Sequence, residues 1–170
     1  LLAGHGEVAV GPFPKALPFG ASHVHGVSYQ PEEARKLLEE AGWKDTDGNG
    51  YVDKDGKDLT IRWLTYPGRM ELPALAELVQ DDLKQIGIKV DIECSADHLN
   101  VLEAGNYDVY ASALVTAPTG DPEYFFHTCA LDQSTKNRGF YHNDRLEALA
   151  KEMHQTFDIE KRNQLAKEMQ

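Results

Sequence analysis

The chain has 170 residues, of which 41% are hydrophobic and 26% charged, with a formal net charge of −11. That length supports one good core and most simply one domain. The acidic balance argues against nucleic acid and against an anionic membrane surface, both of which call for a Lys/Arg patch, and it suits a cationic ligand only weakly.

Residues 1–30 are rich in turns. Gly11-Pro-Phe-Pro14 and Leu17-Pro-Phe-Gly20 place Pro or Gly every few residues without periodicity, so this segment is expected to pack on a larger lobe formed by residues 31–170. His23-Val-His25 sets two imidazoles on one side of an extended stretch, as transition-metal sites do, although solvent-exposed histidines in a polar loop are the plainer reading. Leu1 is no initiator, and Gln170 falls inside a helical pattern. Both ends read as cuts, and the chain is expected to be part of a longer protein. No apolar run reaches the roughly 18 residues that span a bilayer.

Pro31 to Gly42 predicts a helix. Pro opens it, Glu32 and Glu33 fill the first turn, Gly ends it, and Ala34, Leu37, Leu38 and Ala41 form the stripe expected to be buried. Asp45-Thr-Asp-Gly-Asn-Gly follows as a turn cluster, and Lys54-Asp-Gly-Lys57 as a second turn. Asp45, Asp47, Asn49 and Asp53 also match oxygen-donor positions of an EF-hand loop, with Gly50 at its glycine position, but Gly56 stands where the bidentate Glu belongs. A weak calcium site and a plain turn both remain open from the residues alone.

Leu59 to Thr65 reads as a strand, Leu72 to Ile86 as a long helix, Ile88 to Cys94 as a strictly alternating strand and His98 to Ala104 as a short helix. Tyr107 to Leu114 is expected to be the third strand. Two helices, Leu146 to His154 and Ile159 to Met169, complete the chain. Strand–helix alternation predicts an α/β fold with a mixed, largely parallel sheet flanked by helices.

In such sheets ligands sit where loops leave the carboxyl ends of strands. Two loops qualify. Tyr66-Pro-Gly-Arg69 follows the first strand and offers Arg69 to a carboxylate. Thr116-Ala-Pro-Thr-Gly120 follows the third and leads into a helix started by Asp121-Pro122, with His127 one or two turns on. Cys94 and Cys129 leave a disulfide or two free thiols open. No nucleophile elbow, phosphate loop or HExxH motif occurs, which points away from an enzyme.

Several segments together resemble one family. They are Tyr29 to Trp43, the Asp45–Gly50 turn with Lys54-Asp-Gly-Lys57 and Leu59-Thr-Ile61, Leu78 to Val90, Gly105 to Val109 with Gly120-Asp-Pro122, Gly139 to Asn143, and Glu160 to Leu165. In this order they resemble the extracellular solute-binding proteins, family 5, of peptide and nickel ABC transporters. The resemblance implies one lobe of a two-lobed, type II periplasmic-binding-protein-like fold. It also implies export to the periplasm or the cell surface as a lipoprotein, and function as a monomer that hands its ligand to ABC permease and ATPase subunits. Any membrane attachment would come through a lipid anchor or the permease, outside this chain.

Ligand class follows from the same likeness. Peptide-binding members often carry a Trp and an amine-binding Asp before the Asp-Pro helix, and those places hold Val115 and Pro118 here. Nickel-binding members are similar in having Ala-Pro before Asp-Pro, as at Ala117-Pro118, with aromatic residues near the places of Thr116 and Gly120. The resemblance therefore implies transported nickel held as a small chelate, with an oligopeptide as the alternative. It points to the loop Thr116, Ala117, Pro118, Thr119 and Gly120 for ligand contact, and position alone adds Tyr66 and Arg69, after the first strand, and His127, just beyond the loop, as further expected contacts. No resident cofactor is implied.

Overall fold

The computed structural model describes residues 4–20 and 24–170. They form two compact units, one of residues 28–113 and one of residues 4–20, 24–27 and 114–170.

The first unit begins with helix α1, Pro31–Glu40, in which Pro31 occupies the first turn and Glu32 and Glu33 complement the helix N-terminus. The expected stripe is not buried: Leu37 is 56% exposed, and Ala34 and Leu38 are only half-covered. The ties of α1 are polar. Arg35 Nη2 donates to Gln85 O at 2.7 Å, and Lys54 Nζ to Ala41 O at 3.0 Å. Leu38 and Trp43 line an open groove of about 410 Å³ with Val52 and Ile86 instead of a packed seam.

Strands β1 (Asp53–Lys54) and β2 (Lys57–Asp58) then pair antiparallel. Their link, Asp55-Gly56, has positive φ at both residues, 55° and 71°, the hand a two-residue hairpin requires. This hairpin replaces the plain turn expected from the sequence, because strands two residues long carry no readable alternation.

Strand β3, Thr60–Thr65, is the centre of a three-stranded parallel sheet, between β4 (Lys89–Cys94) and β5 (Val109–Tyr110). The β3–β4 register runs from Thr60 opposite Lys89 to Thr65 opposite Cys94. Helix α2, Glu71–Lys84, joins them and buries Leu72 and Ala76, while Gln80 Nε2 donates to Val90 O at 2.7 Å. Helix α3, His98–Ala104, buries Leu102 and leads to β5. Leu64, Ile88 and Val90 complete this core.

The third strand is much shorter than the Tyr107–Leu114 run suggests. Its pairing partner sets the limit: beyond the bond from Ala111 N to Leu64 O, β3 itself ends at Thr65, and Ala113 N turns to the Tyr66 hydroxyl at 3.4 Å.

The second unit is built on helices α4 (Glu123–Phe125), α5 (Asp144–His154) and α6 (Ile159–Glu168). A π-helical turn, Phe126–Ala130, continues α4. Asn143 caps α5 by accepting from Leu146 N at 3.1 Å, and Asp158 caps α6 by accepting from Lys161 N at 2.7 Å. The core gathers Phe126, Leu146, Leu149, Met153 and Leu165 around Phe13 and Phe19 from the turn-rich segment. Phe13 meets Phe19, Phe125 and Phe126 edge to face, with centroids 4.9, 5.7 and 5.8 Å apart.

Candidate functional site

The Ala117–Gly120 loop closes as a turn, with Gly120 N donating to Ala117 O at 3.1 Å. Ala117 packs against the core of the second unit, which leaves Pro118, Thr119 and Gly120 exposed. Thr116 and Leu114 line a groove of about 370 Å³ whose other wall is the backbone and side chains of Glu7 to Lys15. Pocket sites for small molecules start at about this size.

Beyond the turn, the Asp-Pro start of α4 is held by charge. Asp121 Oδ1 accepts from Glu123 N at 2.8 Å, as expected of a helix-starting Asp. The same carboxylate takes Arg162 Nη2 at 2.8 and 2.9 Å, and Glu123 Oε2 takes it at 2.8 Å. Arg162 Nη1 donates to Met153 O at 2.7 Å and Thr156 O at 3.0 Å, covering carbonyls at the end of α5. One guanidinium, 16% exposed, thus ties the start of α4 to the end of α5 and to α6, its own helix. Burial works to lower the pKa of Arg162, but hydrogen bonds to Glu123 and Asp121 outweigh it and raise the pKa above its ordinary value. For Glu123, burial works upward, and the bonds from Arg162 and His154 prevail and hold the carboxyl below its usual range.

His127 joins this network. Its Nε2 lies 3.3 Å from Glu123 Oε1, and His154 Nδ1 lies 2.6 Å from the same oxygen. These three donor atoms fall within 4.8 Å of one another, so Glu123, His127 and His154 are one of two groups among the described residues able to hold a metal ion.

The other group is Asp45, Asp47 and Asp53. Here the oxygens serve the loop itself. Asp45 accepts from Gly48 N and Gly50 N at 2.7 and 2.9 Å, and Asp47 from Asn49 N at 3.0 Å. Asn49 accepts from Tyr51 N at 2.8 Å and donates to Asp58 at 3.2 Å. Asp53, only 4% exposed, accepts from Thr46 N at 2.7 Å and from its hydroxyl at 2.9 Å. Gly56, at the place of the missing bidentate Glu, lies in the β1–β2 hairpin turn.

In the first unit, Tyr66 stands just past the carboxyl end of β3. Its ring stacks on His98, with centroids 4.5 Å apart, and His98 stacks in turn on Tyr110 at 6.1 Å. Thr65 Oγ1 and His98 Nδ1 are buried there without a partner among the described residues. Arg69 and His25 are exposed, and His23 lies outside the described residues. Cys94 and Cys129 are free thiols. The reading from sequence missed Glu123, Arg162, His154 and the His98–Tyr110 stack. His98 carried a signal: it heads the helix that follows β4, at the same sheet edge as Tyr66.

The sequence pattern of the middle region of the bacterial extracellular solute-binding proteins, family 5, matches residues 1–137. The oligopeptide-binding protein AppA of Bacillus subtilis (strain 168) is 32% identical over 99% of this chain and 31% of its own length. A solved nickel ABC transporter structure from Bacillus halodurans is 31% identical with a TM-score of 0.82, covering 99% of this chain and 35% of that one. The structure of NikA from Staphylococcus aureus in complex with Ni(L-His)2 is 25% identical with a TM-score of 0.77, over 95% of this chain and 32% of that one. The chain spans about a third of the length of the curated relatives it matches, 31% and 32% for AppA and for the nickel-binding protein NikA of Staphylococcus aureus. The fold of these neighbours is that of type II periplasmic binding proteins, and the curated relatives are binding proteins for an oligopeptide and for nickel. The chain belongs to the bacterial extracellular solute-binding proteins, family 5.

Proposed function

We propose that the chain is one lobe of a solute-binding protein that captures nickel as a small-molecule chelate outside the cytoplasmic membrane. It hands the chelate to ABC permease and ATPase subunits. Relatives on both sides of the ligand question are similar over nearly the whole chain: the nickel transporter structure of Bacillus halodurans and the oligopeptide-binding AppA of Bacillus subtilis. The observation that carries the chelate reading lies in the loop. Pro118 brings no charge to a peptide ammonium, and the nearest loop acid, Asp121, is already committed to Arg162 at 2.8 Å and to Glu123 N at 2.8 Å.

A metal already wrapped by a small chelator needs shape and polar edges more than direct protein ligands. The loop Thr116–Gly120 offers these in the second unit, next to a groove of about 370 Å³. Tyr66 and Arg69 offer an aromatic face and a guanidinium in the first unit. We assign ligand contact to the loop residues Thr116–Gly120 of the second unit, and name Tyr66 and Arg69 as candidates within the first unit taken by itself. The family's extracellular character supports a place outside the membrane. No helix among the described residues is long and apolar enough to cross a membrane.

The oligopeptide reading has its own support in the 32% identity to AppA, so the test must separate the two. Calorimetric titration of the two-lobed protein with nickel, with nickel plus histidine and with di- to pentapeptides does so. Binding of nickel plus histidine is the expected result. Peptide binding without any metal response sinks the chelate reading.

A further inference from the structure

We propose that Glu123, His127 and His154 form a second, chelator-free site for a borderline transition-metal ion such as Zn²⁺ or Co²⁺, bound directly by protein atoms. The proposal stands independently of the nickel-chelate reading.

The geometry comes first. Zn–N and Zn–O bonds near 2.1 Å place the donor atoms of a tetrahedral site about 3.4 Å apart, and those of an octahedral one about 3.0 Å apart at right angles. Glu123 Oε1 lies 3.3 Å from His127 Nε2 and 2.6 Å from His154 Nδ1, and all three atoms are within 4.8 Å of one another. The imidazoles are tilted by 58° with centroids 5.9 Å apart, so they converge on the carboxylate from different directions instead of stacking. Small rotations of exposed side chains suffice to open the 2.6 Å contact around an ion.

The support behind the ligands comes second. Metal-binding carboxylates are commonly fixed by a hydrogen bond to their other oxygen. Here Glu123 Oε2 takes Arg162 Nη2 at 2.8 Å, which leaves Oε1 facing the two imidazoles. Arg162 also holds Met153 O, one residue before His154, at 2.7 Å. The same guanidinium therefore positions both sources of ligands, the start of α4 and the last turn of α5. His127 lies four residues after Glu123, on the same side of the helical stretch.

The donor set selects the ion. Two imidazoles and one carboxylate suit zinc, cobalt and nickel better than calcium, which prefers six or more oxygens. With three protein donors, the remaining positions fall to water.

The test uses the full chain and Zn²⁺ without chelator. Calorimetry is expected to show one equivalent bound, weakened at least about tenfold by His127→Gln or His154→Gln and more by the pair. Both side chains are exposed, and circular dichroism checks that the variants fold. A second measurement needs no variant: on Zn²⁺ addition, NMR should show the ring nitrogens of His127 and His154 shifting together at one equivalent. Zinc affinity unchanged in the double variant, no zinc bound at all, or ring signals that stay still would each overturn the proposal.

Discussion

Arg162 Nη2 reaches both carboxylate oxygens of Asp121 across 41 residues of chain, at 2.8 and 2.9 Å. The pair fixes the helix start that follows the candidate ligand loop, and it removes Asp121 from the list of acids available to a ligand.

Replacing Arg162 with Ala leaves Asp121 and Glu123 without their cation and bares Met153 O and Thr156 O. The cost should be about 2–3 kcal/mol, below that of a fully buried pair because Asp121 is 45% exposed. Urea unfolding of the second unit measures it. Lys at this position should recover only part, since one ammonium cannot hold the two carboxylates and the two carbonyls together. Glu123 has a folded-state pKa below its ordinary value, so its stabilisation is present above that ordinary value and lost as pH falls through the folded one. The Arg162→Ala variant should therefore lose part of its acid dependence at this group, seen as a flatter stability curve as pH falls below the ordinary glutamate range.

Gly87→Ala should destabilise the first unit by about 1–2 kcal/mol. Gly87 has φ +80°, and an added Cβ would lie 2.9 Å from Val52 Cγ1, while Gly87 O accepts Val52 N at 2.7 Å. Thermal denaturation reads the loss directly.

Asp108 receives Arg62 Nε, Nη2 and N at 3.0, 2.8 and 2.8 Å, across the β3–β5 edge. The side-chain and backbone bonds from Arg62 hold its carboxyl at about 2. Because the folded pKa is depressed, the link stabilises at neutral pH and fades as pH falls below the ordinary carboxyl value toward 2. A carboxyl NMR titration should give a midpoint near that value, and Arg62→Gln should return it to the usual range.

The Asp45 loop should take calcium no more tightly than about 10⁻³ M, the weak end of known loops. Its carboxylates already satisfy backbone N–H groups, and Gly56 replaces the closing Glu. Calcium calorimetry checks this, and stoichiometric micromolar binding would show that the loop reorganises into a true site.

The elements that were legible in the sequence are those whose burial follows a period. Helix α2 and strands β3 and β4 appear within a residue or two of their alternation, and the Asp121 helix start behaves as its dipeptide implies. Helix α1 was legible as a helix but not in its packing, since an amphipathic stripe shows which face is apolar and not what covers it. The short β5 reflects where its partner strand ends, which no pattern within residues 107–114 encodes. The Arg162 network joins groups distant in sequence, and local spacing holds no trace of it.

The most direct test of the central claim is the identity of the retained ligand. The two-lobed protein is equilibrated with limiting nickel, excess histidine and a pool of di- to pentapeptides, then separated from free ligand by gel filtration. Mass spectrometry and metal analysis read what remains. The account predicts nickel near one equivalent with histidine and no peptide. A peptide retained at one equivalent with no nickel would contradict it.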